Sequence, residues 1–195
     1  MTAAVFERIA LAQIDPQPWK NGAGLTREIA LHPPGASMAD FDWRVSVAEV
    51  AQDAPFSAFP GVDRCITLLR GAGMRLASAD GAFDERLDRP FEPLHFPGDL
   101  PLAATLIAGP CTDFNVMTRR GAVRCDVTRH DAAFDLPAAE ARLLWCCDGD
   151  GWQVDAEQLA PLQALLWREA SSAMRIRPLG QGTLLEIRLC QDGPR

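Results

Sequence analysis

The sequence contains very little lysine and asparagine. Lys20 is the only lysine among 19 basic residues, and Asn21, directly after it, is one of two asparagines, the other being Asn115. Because arginine supplies every other cation, the stretch PWKNGAGLTREIA (18–30) stands apart. An ammonium beside an amide, followed by two nearby glycines that permit unusual backbone, indicates a polar recognition site.

Long apolar runs and basic tracts are also missing. No stretch reaches the roughly 18–20 apolar residues that span a bilayer, and the start MTAAVFERIALAQIDPQ lacks the basic n-region of a signal peptide. The net charge of −7 and the scattered arginines disfavour a nucleic-acid partner, since a phosphate backbone would be repelled. We therefore expect a cytoplasmic protein that binds neither membrane nor nucleic acid.

Motifs for metal, redox and nucleophilic chemistry are absent. The six cysteines form no C-x-x-C pair, and His32, His95 and His130 lie far apart without H-x-H spacing. No G-x-S-x-G motif occurs, and GAGLTR and GAGMRL lack the third glycine of a dinucleotide-binding loop. The sequence therefore predicts reduced cysteines that act as small apolar residues, and no metal site, cofactor or catalytic nucleophile.

The residues that are present alternate with a period of two. Segment FDWRVSVAEV (41–50) is typical of a strand with two different faces, and segment 64–77, with Gly71-Ala72-Gly73 at its centre, predicts a hairpin. Segment 155–172 allows a short helical turn on one side of Pro161. With 15 glycines and 15 prolines between short apolar runs, the pattern predicts an all-β sandwich or barrel. From about residue 122 the strand–turn–strand plan restarts, so two similar half-units are expected.

Polar side chains gather in the opening stretch, in the 41–50 strand and in TDFNVM. The candidates for a pocket are Lys20, Asn21, Thr26, Arg44, Ser46, Asp113 and Asn115. Ammonium, guanidinium, amide and hydroxyl groups together are what recognition of a carboxylate requires. A pocket is one interpretation; an Asn-Gly turn with a solvated lysine is the other.

Four blocks of the sequence resemble the HutD/Ves family of bacterial proteins. They are PWKNGAGLTREIA, FDWRVSVAEVAQDAPFSAFPGVDRCITLLRGAGMRL, FPGD and GPCTDFNVMTRRG, in the order and spacing of the family. The family is similar to the cupins, so the resemblance implies a bicupin: two double-stranded β-helix barrels, residues 1–121 and 122–195, packed as one compact body. The stretch that matches the first cupin metal motif, GVDRCITLLRGAG, has no histidine, so the resemblance implies no metal either.

The resemblance implies a non-enzymatic protein that binds an anionic carboxylate metabolite of the urocanate or formylglutamate class in the first barrel. It also implies a role in regulating histidine utilisation or the stress response. The motif positions carried over as ligand-binding are Trp19, Lys20, Asn21, Gly22, Thr26, Arg44, Ser46, Arg64, Asp113 and Asn115. Lys20 and Arg44 would pair with the carboxylate and Trp19 would form a wall. By analogy with cupins, a homodimer through sheet edges is expected.

Two alternatives stay open. One is a metal-free isomerase or hydrolase acting on a small carboxylate, with Lys20 as acid or base and Asp113 as its partner, because burial can lower the pKa of a lysine. The other is a structural module whose interior is filled by side chains. The pocket hypothesis requires Lys20 to be held inward, facing a cavity that it shares with Arg44.

Overall fold

The computed structural model describes residues 5–139, 141–169 and 172–192. This part of the chain contains 19 β-strands and one short 3-10 helix, Leu11–Gln13, and no α-helix. The all-β class predicted from the period-two pattern is therefore confirmed. No described helix has the length and apolarity that a membrane crossing would need.

Residues Ile14–Ala122 form one compact unit, called the first unit, with two antiparallel sheets. Its strands are β2 (Gln17–Pro18), β3 (Gly24–His32), β4 (Trp43–Val50), β5 (Ala54–Phe56), β6 (Val62–Arg70), β7 (Met74–Ser78), β8 (Asp84–Leu87), β9 (Pro93–Pro97), β10 (Leu102–Leu106) and β11 (Cys111–Arg119). The six-stranded sheet has the order β2-β3-β4-β11-β6-β9, and the four-stranded sheet has the order β5-β10-β7-β8.

The segment that ends at Gln13 and the segment that begins at Val123 form the second unit. Its strands are β1 (Glu7–Ala10), β12 (Val123–His130), β13 (Phe134–Leu136), β14 (Ala141–Cys146), β15 (Trp152–Val154), β16 (Glu157–Leu159), β17 (Gln163–Trp167), β18 (Met174–Pro178) and β19 (Leu184–Gln191). They form a five-stranded sheet, β1-β17-β14-β19-β12, and a four-stranded sheet, β13-β18-β15-β16.

The N-terminal strand corrects the expected grouping of residues 1–121. Strand β1 pairs with β17, with Glu7 opposite Leu166, and so belongs to the second unit. Backbone pairing explains the difference, because β1 supplies hydrogen bonds to an edge of β17 that would otherwise be unpaired. A break drawn from strand spacing alone does not reveal a partner so distant in sequence.

The strand order of the first unit recurs in the second. Strands β4 to β11 give the orders β4-β11-β6-β9 and β5-β10-β7-β8, and strands β12 to β19 give β12-β19-β14-β17 and β13-β18-β15-β16. Each strand of the second set therefore occupies the same position in its sheet as the strand eight places earlier in the chain. The closed two-barrel architecture is nevertheless not confirmed, because every sheet ends in strands that have only one neighbour in the described part of the chain.

The hairpin predicted for 64–77 is wrong. Strand β6 lies in the six-stranded sheet and β7 in the four-stranded sheet, so the turn between them carries the chain from one sheet to the other. Gly71 and Gly73 adopt positive φ angles of 89° and 88°, which glycine accepts without strain. A glycine-rich turn between two apolar runs looks the same in sequence whether the runs pair or separate.

The helical turn allowed in 155–172 is also absent from the described residues, which include all of this segment except 170 and 171. Strands β16 and β17 occupy the segment, with Pro161 in the turn between them. Four consecutive residues of β17, Ala164–Trp167, are buried, so both of its faces pack against apolar neighbours. Burial on both faces suits a central strand, and this tertiary packing overrides the helical propensity of the alanine and leucine residues.

Gly73 provides a test of the sheet-to-sheet turn. A Cβ at this position would overlap the carbonyl oxygen of Leu87, whereas a Cβ at Gly81, which also has positive φ, would meet no atom within 4 Å. We expect Gly73→Ala to lower the free energy of unfolding by at least about 3 kcal/mol, through strain and overlap together. The control Gly81→Ala should cost only about 1–2 kcal/mol. Urea unfolding measures both, and equal costs would contradict the crowded turn.

Candidate functional site

Three neighbouring strands of the first unit, β4, β11 and β6, run from the core to a cavity along one face. On β11, Cys111 packs in the core. The next residues on that face, Asp113, Asn115 and Met117, line the cavity. Adjacent rows across β4, β11 and β6 read Arg44–Met117–Arg64, Ser46–Asn115–Ile66 and Ala48–Asp113–Leu68. The register therefore brings polar residues from three strands to one wall, next to an apolar core.

The cavity has a volume of about 460 Å³, within the usual range for small-molecule sites. Nine of the ten predicted positions line it: Trp19, Lys20, Asn21, Thr26, Arg44, Ser46, Arg64, Asp113 and Asn115. The residues that sequence reasoning missed are Pro18, Met38, Ala48, Phe56, Ser57, Phe59 and Met117. Most of these are apolar, and Met38, Ser57 and Phe59 lie outside the strands, where no periodicity marks them.

Gly22 is the predicted position that does not line the cavity. Its φ is 70°, and its amide donates to the carbonyl of Trp19 at 2.9 Å. The Asn21 side chain accepts a hydrogen bond from the amide of Ala23 at 3.1 Å. Asn21 and Gly22 therefore shape the turn that carries Lys20, as the turn interpretation of Asn-Gly expects.

Lys20 departs from the hypothesis that it is held inward. The residue lines the cavity but is exposed. Its neighbour Trp19 is better fixed, because the indole N–H donates to Thr26 Oγ1 at 2.7 Å and ties the loop to β3. Lys20 therefore stands at the mouth of the cavity, and the desolvation that a lysine acid or base would need is not provided there.

Arg44 faces the cavity from β4 but already has an internal partner. Its Nε lies 2.7 Å from a carboxylate oxygen of Glu28, and its Nη1 donates to Ser46 Oγ at 3.4 Å. The Arg44 side chain is 13% exposed and that of Glu28 is 37% exposed, so the pair lies at the boundary of the interior. Arg44 can offer a ligand only the part of its guanidinium that Glu28 does not engage.

Arg64 is the buried cation of the site, with 5% of its surface exposed. Its guanidinium carbon lies 4.2 Å from the ring centre of Phe56 and 5.5 Å from those of Phe59 and Phe96, so cation–π attraction stabilises it. Its hydrogen bonds are long, at 3.3 Å to the Ser57 carbonyl and 3.4 Å to Asn115 Oδ1. Burial lowers the pKa of Arg64 to about 10, which leaves it charged at neutral pH.

Asp113 is the most unusual group in the cavity wall. It is 1% exposed, and neither carboxylate oxygen has a hydrogen-bond partner in the part of the chain that the structure describes. In its row it lies between Ala48 and Leu68, whose side chains have no donors. Burial raises the pKa of Asp113 from 3.8 to about 7, while the charge of Arg64 acts in the opposite direction.

The second unit has a buried arginine at the position equivalent to Arg64, but the partners of this arginine are different. Arg142 of β14 lies opposite Arg188 of β19, as Arg64 of β6 lies opposite Met117 of β11. This register makes Glu186 equivalent to Asn115 and Leu184 equivalent to Asp113. Glu186 forms an ion pair with Arg142 at 3.2 Å and lies 3.1 Å from His130 Nε2. The second unit thus neutralises its arginine with an internal carboxylate.

The histidines and cysteines are distributed away from the cavity. His32 stacks on Trp43, His95 Nε2 lies 3.5 Å from Cys65 Sγ, and His130 stacks on Phe134. Among the described residues, no group of three His, Cys, Asp or Glu side chains could hold a metal ion. None of the six cysteines is in a disulfide, and four of them are buried.

Fold and site together define a cupin-like β-protein with a polar cavity in its first unit. The model of the HutD family matches residues 11–185, so the chain belongs to this family. It is 39% identical over 171 residues to Protein Ves of Cronobacter sakazakii, an alignment that covers 87% of this chain and 91% of that protein.

Solved structures agree with this assignment. HutD from Pseudomonas fluorescens, solved in a formate condition, superposes with a TM-score of 0.84 at 30% identity, covering 97% of this chain and 100% of that one. A cupin 2 conserved barrel domain protein from Leptotrichia buccalis superposes with a TM-score of 0.59 at 10% identity, covering 94% of this chain and 96% of that one. The second likeness shows the cupin-like fold alone.

Asp113 makes stability depend on pH in a defined direction. Between about pH 4 and pH 7 the folded protein holds a proton on Asp113 that the unfolded chain has released, because the folded pKa is raised to about 7. We expect this group to lower the free energy of unfolding as pH rises through this window, by up to about 1.4 kcal/mol per pH unit. Above that window its contribution stays constant.

Asp113→Asn isolates this effect from the other titrating groups. Denaturant unfolding at several pH values gives the difference between the two proteins, and this difference should change between pH 4 and 7 and level off above. Arg64 and Cys111 interact electrostatically with Asp113, and Arg44 interacts with Arg64; all three are retained in both proteins. A difference that is constant with pH would show that Asp113 titrates normally.

Proposed function

We propose that this protein binds an anionic carboxylate metabolite, of the urocanate or formylglutamate class, in the cavity of its first unit. In this proposal it acts in the cytoplasm without catalysis and regulates histidine utilisation or the stress response, as the family resemblance implies. The repeated strand order supports the further proposal that each unit is one cupin unit of a bicupin. A homodimer through sheet edges remains a prediction by analogy.

The buried guanidinium of Arg64 is the observation that carries the proposal. It lies in a cavity wall, and its hydrogen bonds to Ser57 and Asn115 are at the long limit. Where the second unit places the carboxylate of Glu186, the first unit has the neutral amide of Asn115. A ligand carboxylate beside Asn115 would supply the charge that Glu186 supplies to Arg142.

Two further cations support an anionic ligand. Arg44 adds a second guanidinium from the neighbouring strand, and Lys20 adds an ammonium at the mouth. The net charge of −7 repels anions at long range, so an anion would have to be held by these local groups. Hydrogen bonds from charged donors in a desolvated site contribute about 1.5–3 kcal/mol each, which is enough to hold an anion against this long-range repulsion.

The apolar wall restricts the shape of the ligand. Trp19, Phe56 and Phe59 present aromatic rings, and Met38 and Met117 present flexible thioethers. Aromatic rings favour a flat or unsaturated body between the polar ends of a ligand. Urocanate, with its conjugated ring and propenoate, matches this wall better than the saturated chain of formylglutamate.

A metal-free isomerase or hydrolase is the second candidate, and Asp113 is the observation that favours it. A buried carboxyl with a pKa of about 7, in a cavity wall, has the properties of a general acid or base. Lys20 is exposed rather than buried. In this candidate mechanism Asp113 therefore takes the role of acid or base that the sequence analysis gave to Lys20. If a panel of small carboxylates yields product by NMR and Asp113→Asn abolishes turnover, this candidate is favoured over pure binding.

Arg44→Gln tests carboxylate binding. The variant removes a cavity guanidinium and leaves Glu28, which is partly exposed and can be solvated. We expect urocanate and N-formylglutamate to bind at least about tenfold more weakly, the loss of one charge-assisted hydrogen bond. Isothermal titration calorimetry measures both affinities.

Arg27→Gln is the matched control. Arg27 also lies on a strand of the six-stranded sheet and pairs with a glutamate, Glu49, on a neighbouring strand, but it does not line the cavity. It should leave the affinities unchanged. Absence of heat for the unaltered protein with either acid would reject the ligand class, and equal losses in both variants would reject contact with Arg44.

A further inference from the structure

Asp113 is a costly residue that the fold does not need. Burying a carboxyl group without hydrogen bonds is unfavourable, and both oxygens of Asp113 lack partners among the described residues. At the equivalent position of the second unit stands Leu184, which is fully buried. The same strand order thus folds with an apolar side chain at this position. A structural role in the sheet does not account for the carboxylate.

Charge balance for Arg64 accounts for Asp113 only in part, because the charge of Asp113 raises the pKa of Arg64 against the larger, opposite effect of burial. In the second unit the balancing carboxylate, Glu186, lies at ion-pair distance from Arg142. Asp113 interacts with Arg64 through its charge but makes no hydrogen bond or ion pair with it among the described contacts. Arg64 directs its hydrogen bonds to Ser57 and Asn115 instead. Asp113 and Arg64 therefore line the cavity as two separate groups.

The spacing of these two groups defines a ligand with two ends. The Arg64 Nε reaches Asn115, which lies one row away from Asp113 along β11. Two residues along a strand correspond to about 7 Å. A ligand whose carboxylate lies beside Arg64 and Asn115 would thus place atoms about 7 Å away against Asp113. Only a hydrogen-bond donor would satisfy that carboxylate.

We infer that Asp113 accepts a hydrogen bond from the ligand and restricts the cavity to carboxylates that carry an N–H donor at their far end. This inference rests on the proposed function and adds its second point of recognition. A carboxylate without the donor would leave Asp113 unpaired and add a second negative charge near it. A site with a buried polar group discriminates strongly against a ligand that leaves this group unpaired.

Two ligands of nearly the same shape test this inference. Urocanate carries an imidazole N–H, and trans-3-(2-furyl)acrylate has the same propenoate chain on a furan ring that has no donor. At pH 8, where Asp113 is mostly ionised because its pKa is about 7, calorimetry on the unaltered protein should give at least about tenfold tighter binding of urocanate.

Variants at Asp113 should remove this preference. In Asp113→Asn, urocanate should bind more weakly and furylacrylate more tightly, so that the ratio of affinities falls within about threefold. Asp113→Leu copies Leu184 of the second unit and should have the same effect, which covers the case in which the amide variant does not fold. The control Ser46→Ala, in the neighbouring row, should change both affinities by a similar factor and keep the ratio.

The outcomes separate this inference from the proposed function. Equal binding of the two acids by the unaltered protein would overturn the role of Asp113 while leaving carboxylate binding intact. A preference for urocanate that persists in both Asp113 variants would also overturn it. If neither acid binds, the proposed function fails and the inference fails with it.

Discussion

The first unit depends on holding one guanidinium in an apolar interior. Arg64 packs against Phe56, Phe59 and Phe96, and its delocalised charge is attracted by their rings. Burial lowers the pKa of Arg64 to about 10, so the side chain keeps its proton and stays charged in the interior at neutral pH. Phe56 and Phe59, which hold it, also form part of the apolar wall of the cavity. Cation and wall are therefore one packing arrangement.

The two units surround their buried arginine with different residues. The second unit places Glu186 beside its buried arginine and Leu184 one row away, a combination that pairs the charge internally. The first unit has Asn115 and Asp113 at these positions, so its charges stay apart in a cavity wall. Removing an internal partner of a buried charge is destabilising. Residues that lower the stability of the fold in this way are expected at functional sites, such as a ligand-binding site.

Sequence reasoning predicted what depends on alternation and motif, and failed where tertiary packing decides. The strand over 41–50 and the strand positions Arg44 and Ser46 followed from a period of two. The rarity of lysine drew attention to Lys20 but carried no information about burial, and the residue is exposed. The turn at Gly71–Gly73 and the partner of β1 depend on which sheet a strand joins. The loop residues Met38 and Phe59 lie in no periodic pattern that would mark them.

In the proposed ligand site, the charges of the cavity would determine selectivity through a penalty as well as through attraction. With a net charge of −7, the protein gains little from long-range attraction of an anion. Inside the cavity, the lower dielectric strengthens both the attraction of Arg64 and the repulsion of Asp113. A simple carboxylate bound there would experience both, and the two would oppose each other once Asp113 has ionised above its pKa of about 7. A carboxylate that also donates a hydrogen bond would turn the repulsive group into a partner, so an acidic residue in the proposed anion site would raise its specificity.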